Sequence, residues 1–202
     1  EGQFAGVCLM DARSIAATAL NGGKITAATD IEYECTAPEY EFDSSAYDRR
    51  IYYGFGKGKT TAAIGQGMRA KGAGYSVTFV QFFKDNKSSE LSVLPFDIFN
   101  APDTLPFNPG KDYQAWVDSA IDYIINSKSD MIILDEFLDV IDSFVSIDKA
   151  LDILNTLDGR EVIITGHKEI KRLFEKADYI TFMDKIKHPY DLGVRARKGI
   201  EY

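Results

Sequence analysis

The sequence has few residues of the kinds that build covalent or metal frameworks. It carries two cysteines, Cys8 and Cys35, and two histidines, His167 and His188, in 202 residues. That supply cannot make a disulfide framework, and it leaves little for a four-ligand zinc cage. A mostly reduced, cytoplasmic chain is the expectation. No apolar run approaches the ~18 residues that a membrane helix needs. The first residues, EGQFAGVCLMDARS, place no basic stretch before an apolar one, so neither a signal peptide nor a membrane partner is expected. Basic residues are outnumbered, 23 Lys and Arg against 31 Asp and Glu, for a net charge of −8. Neutralising a nucleic-acid backbone needs clustered Lys and Arg, so no nucleic-acid partner is expected. A phosphate ligand held in one local pocket is still allowed.

What is present is enough for one domain, at about 150 residues each, with an appendage. A chain of this length buries roughly 70% of its unfolded surface and needs no staples. Residues 1–50 hold 4 basic and 9 acidic groups and read as an N-terminal extension of unknown role. Within it, residues 31–35 alternate as a short strand does, and Ala16 to Leu20 suit a helix.

From residue 51 the pattern becomes regular. Strands are expected to end at 52–53 and to cover 76–84, 131–137, 161–166 and 178–186, alternating with helices over 60–71, 112–126, 147–157 and 168–176. Residues 85–110, with four prolines, read as irregular. Strands that alternate with helices predict an α/β domain over 51–202. Its expected form is a mostly parallel sheet with helices on both faces.

Three segments carry chemistry. The first is Gly54-Phe55-Gly56-Lys57-Gly58-Lys59-Thr60-Thr61, between an apolar strand and a helix. Glycines let a loop wrap closely around phosphates, and the helix N-terminus adds a positive dipole. Lys59 would meet phosphate oxygens, and Thr60 or Thr61 would offer a hydroxyl to Mg²⁺. The spacing is one residue shorter than the general G-x-x-x-x-G-K-[ST] pattern. The second segment is Asp135-Glu136, closing the apolar run MIIL. Ligands of open parallel sheets sit at the carboxyl ends of strands, where such carboxylates hold Mg²⁺ or act as a base. The third is the ending KHPYDLGVRARKGIEY (187–202); five of the last eighteen residues are Lys or Arg, in an acidic chain. It reads as a tail folded over an anionic ligand or as a solvated basic tail.

Together, residues 54–84, 130–137, 161–166 and 187–202 resemble the P-loop corrinoid adenosyltransferases of the CobA/BtuR type, also called cob(I)yrinic acid a,c-diamide adenosyltransferases. The resemblance implies an enzyme that moves the 5′-deoxyadenosyl group of ATP to the Co(I) of a corrinoid (cobalamin or a precursor), with release of tripolyphosphate. It implies a RecA-like P-loop fold, a homodimer and a flavoprotein reductant. The metal implied is Mg²⁺ or Mn²⁺. By motif position, Lys59 and Thr60 bind phosphates and metal, and residues 56–61 grip the triphosphate in reversed order. Asp135 and Glu136 bind or orient the metal. Lys59, Thr60, Asp135 and Glu136 are thus the implied catalytic set. Gly54, Gly56, Lys57, Gly58, Thr61 and Arg69 complete the nucleotide contacts. Relatives often carry a Phe-x-Trp element after the second strand; here FDIFNAPDTLPFNPGKD (96–112) has none. Phe107 is the candidate for the corrinoid face, against the alternative that Phe96, Phe99 and Phe107 pack the loop onto the sheet. Trp116 reads as helix core. The competing function is a RecA-like ATPase or kinase that cleaves the γ-phosphate, and a third is a non-catalytic corrinoid or nucleotide carrier.

Overall fold

The computed structural model describes residues 48–106 and 109–201. The strand expected at 31–35, the helix at 16–20 and Phe107 lie outside them. The described residues form strands β1 (Arg49–Tyr53), β2 (Val77–Gln81), β3 (Asp97–Phe99), β4 (Met131–Asp135), β5 (Glu161–Gly166) and β6 (Tyr179–Phe182). Helices are α1 (Lys59–Gly72), α2 (Tyr113–Asn126), α3 (Phe137–Val140), α4 (Ile147–Thr156) and α5 (Lys171–Phe174). The strands make one sheet in the order β3-β2-β4-β5-β1-β6, and every pairing is parallel.

Burial explains the sequence pattern. Strands β2 and β4 are buried at every position, which is why they read as unbroken apolar runs. Alternate residues serve two faces. Val77, Phe79, Met131, Ile133 and Ile163 pack with Ala63 and Ala70 of α1. Val80, Ile132, Leu134, Val162 and Ile164 pack with Val117, Ile121 and Ile124 of α2 and Ile153 and Leu154 of α4. Helix α1 lies close because its inner face is small; a Cβ on Gly67 would come within 2.8 Å of Ile133 and 2.9 Å of Phe96. The expected RecA-like fold, with helices on both faces, is what is observed.

Several expected elements are shorter, and one was missed. β1 ends at Tyr53, as expected, and starts at Arg49. Its two arginines are held by carboxylates, Arg49 by Asp158 and Arg50 by Asp48 and Glu161. β2 stops at Gln81 because Phe83 turns to a φ of 50°. β4 stops at Asp135 because Glu136 has a φ of 58°. β3 lies inside the stretch expected to be irregular and pairs with only three residues of β2. Phe99 packs on Trp116 and Tyr123, and Phe96 on Phe79, so both serve the core. Trp116 is half-buried and donates its indole N–H to Asn100 O at 3.1 Å. No described helix is long and apolar enough to cross a membrane.

Candidate active site

The carboxyl ends of β1, β2, β4 and β5 meet at one edge of the sheet. After β1 the chain enters the glycine loop. Gly54 has a φ of 109°, and a Cβ there would sit 2.5 Å from Met183 O. Gly56 is barred from a side chain by approach alone, with Asp184 O at 2.5 Å from its Cβ position. The Gly56 N–H is tied to Met183 O at 2.7 Å, and the Gly54 N–H to Gly166 O at 3.2 Å. Gly58, with a φ of 115°, caps α1 without a side-chain bond. The first turn of α1 therefore presents free N–H groups and no acidic residue, as an anion site requires.

Lys59 is buried, with its ammonium 3.2 Å from Gly56 O. Burial lowers its pKa, and Glu136, Asp139 and Asp135 offset part of that. A buried ammonium that has lost water needs anionic company. Thr60 Oγ1 donates to Asp135 Oδ2 at 3.2 Å. Asp135 is fully buried and its carboxylate is saturated. Oδ1 accepts from Thr165 at 2.7 Å; Oδ2 also accepts from Gln81 at 3.0 Å and Lys84 at 2.9 Å. Burial pushes its pKa up, but the Lys84 charge and these donors outweigh it and hold the group ionised, below its ordinary value.

Glu136 is half-buried at the sheet edge, and burial raises its pKa. Its N–H donates to Thr165 Oγ1 at 2.9 Å, which fixes the left-handed turn. His167 follows β5 and lies 3.0 Å from Asp139 and 3.3 Å from Glu136. Hydrogen bonds to Asp139 and Glu136 raise its pKa to about 9, so it is an imidazolium at neutral pH. Phe55 lies beside the ring at 5.3 Å.

Two cavities open on this edge. The first, about 470 Å³, is lined by Lys57, Lys59, Thr60, Thr61 and Ile200, among others. The second, about 600 Å³, is lined by Phe83, Leu105, Pro106, Asp139 and His167, among others. Lys84, Glu136 and Glu201 line both. The chain's ending helps to wall the first cavity: Lys57 donates to Ile200 O at 2.9 Å and pairs with Glu201 at 3.1 Å.

Residues 49–202 match the family profile of the ATP:corrinoid adenosyltransferase BtuR/CobO/CobP. The chain belongs to this family. The corrinoid adenosyltransferase of Escherichia coli K12 is 29% identical over 165 residues, spanning 75% of this chain and 84% of that one. The corrinoid adenosyltransferase CobA of Salmonella typhimurium is 29% identical over 170 residues, with the same coverage. By backbone shape, AMPPCP-bound DnaA of Aquifex aeolicus superposes with a TM-score of 0.40 at 15% identity, over 75% of this chain and 48% of that one.

Of the residues picked from the adenosyltransferase pattern, the structure brings Lys57, Gly58, Lys59, Thr60, Thr61 and Glu136 to the first cavity. Asp135 lies beneath it, bonded to Thr60. Arg69 is not brought there. It is exposed near the far end of α1 and lines a separate depression with Arg50, Tyr75 and Glu161. Ten residues of helix separate it from Lys59, about 15 Å of rise. Sequence reasoning missed Lys84, Gln81, Thr165 and Asp139. For Lys84 and Gln81 a signal existed: two polar residues closing an apolar strand at the edge where the loop and Asp135 lie.

Proposed function

We propose that the two cavities divide the substrates of an adenosyl transfer. The triphosphate of ATP occupies the first cavity and the corrinoid the second, and the 5′ carbon lies at their shared wall. The observation that carries this reading is that wall of Lys84, Glu136 and Glu201. A γ-phosphate hydrolase needs one substrate room and a water; a transfer between two large substrates needs two rooms that meet.

The Co(I) electron pair forms the bond to C5′, and the C5′–O pair leaves with tripolyphosphate. The protein supplies no nucleophile and works by placement and charge. The loop N–H groups, Lys59 and Lys57 hold the phosphates in reversed order. The second cavity has an apolar side at Phe83, Leu105 and Pro106. An apolar wall keeps water from reduced cobalt.

Thr60, Asp135 and Glu136 supply hydroxyl and carboxylate oxygens, the donor set of Mg²⁺ or Mn²⁺. Beside them Gln81 Oε1 is buried without a hydrogen-bond partner, a further oxygen available to a cation or its water. Such a cation, when bound, neutralises the polyphosphate as it leaves. A homodimer, a flavoprotein reductant, a cytoplasmic setting and a catalytic domain over 51–202 with an extension over 1–50 belong to the same proposal.

The test is anaerobic incubation with ATP, Mg²⁺ and chemically reduced cob(I)alamin. A light-sensitive adenosylated corrinoid and tripolyphosphate are expected, and both are lost in Lys59→Ala. Orthophosphate with no new corrinoid species would overturn the reading in favour of the ATPase.

A further inference from the structure

Lys84 is placed by a turn that the residues around it do not mark. β2 ends at Gln81, and two residues later Phe83 adopts a φ of 50°, a left-handed conformation that costs a bulky residue energy. The surroundings enforce it. Phe82 N–H is bound to Asp135 O at 2.9 Å, and Phe83 N–H to the Tyr113 hydroxyl at 3.0 Å. The Phe83 ring is stacked on Tyr113 and edge-on to Phe144, each at 5.7 Å. This braced turn sends the next side chain back across the strand ends. The Lys84 ammonium lies 3.0 Å from Thr60 Oγ1 and 2.9 Å from Asp135 Oδ2.

Those two oxygens belong to the set that would hold a divalent cation with the phosphates. A protonated amine between them is an internal substitute for that cation. Burial opposes the Lys84 charge, but Asp135 more than restores it and raises its pKa, so the ammonium is kept at neutral pH. Its side chain is 29% exposed, whereas Asp135 is 0% exposed, so Lys84 is the partner of the pair that solvent and ligand reach. It also lines both cavities, so a short swing keeps it at their shared wall. Meanwhile the buried Gln81 keeps its amide N–H on Asp135 and leaves Oε1 unpartnered, so Asp135 does not lose all its donors when Lys84 moves.

We propose that Lys84 is a resident cation with two stations. Without ligand it fills the place between Thr60 and Asp135; with polyphosphate and a divalent cation in the first cavity it yields that place and turns its charge onto the polyphosphate at the shared wall. This rests on the reading of the first cavity as the triphosphate site. It makes Lys84 a competitor of the metal in the free protein and a partner of the leaving group in the loaded one. A lysine that only braced the fold would be neither.

The test uses the full chain, Mn²⁺ and inorganic tripolyphosphate, with no corrinoid. Mn²⁺ binding is read by electron paramagnetic resonance and tripolyphosphate binding by calorimetry. Lys84→Met is expected to bind Mn²⁺ alone about tenfold more tightly and tripolyphosphate with Mn²⁺ about tenfold more weakly, the scale of one charged hydrogen bond. Lys84→Arg, which keeps the charge, is expected to retain tripolyphosphate affinity. Lys84→Gln, one atom shorter but with an uncharged donor, serves if Lys84→Met does not fold. Mn²⁺ binding that is unchanged or weaker on removal of the charge overturns the proposal, as does tripolyphosphate binding that does not fall. A wild-type chain that binds no tripolyphosphate overturns both this proposal and the cavity reading. If the Lys84 pattern holds but no Co–carbon bond forms in the adenosyl assay, only the reaction assignment fails.

Discussion

Thr165 on β5 donates to Oδ1 of Asp135 on β4 at 2.7 Å while accepting the N–H of Glu136 at 2.9 Å. One hydroxyl thereby holds the Asp135 carboxylate and the Glu136 backbone, although it lies on a different strand. Thr165 is fully buried, so no water replaces it. Thr165→Val would leave a buried carboxylate oxygen and a peptide N–H short of partners. The expected loss is about 2–4 kcal/mol of stability, read as a melting temperature lower by roughly 5–15 °C. Thr165→Ser restores most of it, because the hydroxyl and not the methyl does the orienting.

Lys59 shows the opposite balance. Burial lowers its pKa, so the free fold carries the cost of desolvating its charge. Lys59→Met should leave the melting temperature unchanged or raise it. Affinity for ATP should fall on the order of 100-fold, the equivalent of about 3 kcal/mol. Calorimetry and thermal denaturation on the same samples separate the two effects.

His167 makes stability depend on pH above neutrality. Its folded pKa of about 9 is above the ordinary 6.5, chiefly through its hydrogen bonds to Asp139 and Glu136. The imidazolium pairing is therefore fully present below about pH 6.5 and is lost as pH rises through about 9. Titration by NMR should place the ring near that value. In Asp139→Asn it should fall toward the ordinary one, and the decline in melting temperature between these pH values should flatten.

Gly56 tests the close approach of the loop to the end of β6. A Cβ at this position meets the Asp184 backbone carbonyl carbon-to-oxygen at 2.5 Å, which no rotamer relieves. Gly56→Ala should cost about 3 kcal/mol, the upper range for overpacking, and should abolish nucleotide binding. Gly65→Ala, with open space around its Cβ, should change neither.

The parallel sheet was legible because β2, β4 and β5 are buried apolar runs, and the loop because glycines, lysine and threonines stand in order before a helix. β3 was not, since a three-residue strand among prolines has no periodicity to show. Strand ends were overestimated where Phe83 and Glu136 turn left-handed; nothing local marks these turns, because Tyr113 and Thr165 enforce them from other elements. The same cause hid Lys84 and Thr165 from the site. Both act through Asp135 across the sheet, at separations of 51 and 30 residues. Arg69 was drawn in by a pattern match, and the helical rise carries it away from the loop.

The phosphate loop hangs between two unequal supports: Gly54 is tied to Gly166 on interior strand β5, and Gly56 to Met183 at the end of β6, the outermost of the described strands. An outermost strand frays at far lower free energy than an interior one. The slack of the loop is then set at the rim of the sheet and not by its core. Amides of residues 179–183 should exchange with deuterium quickly in the free chain and slowly once polyphosphate draws the loop tight. Occupancy of the site would thus be reported by a strand that contributes none of its chemical groups.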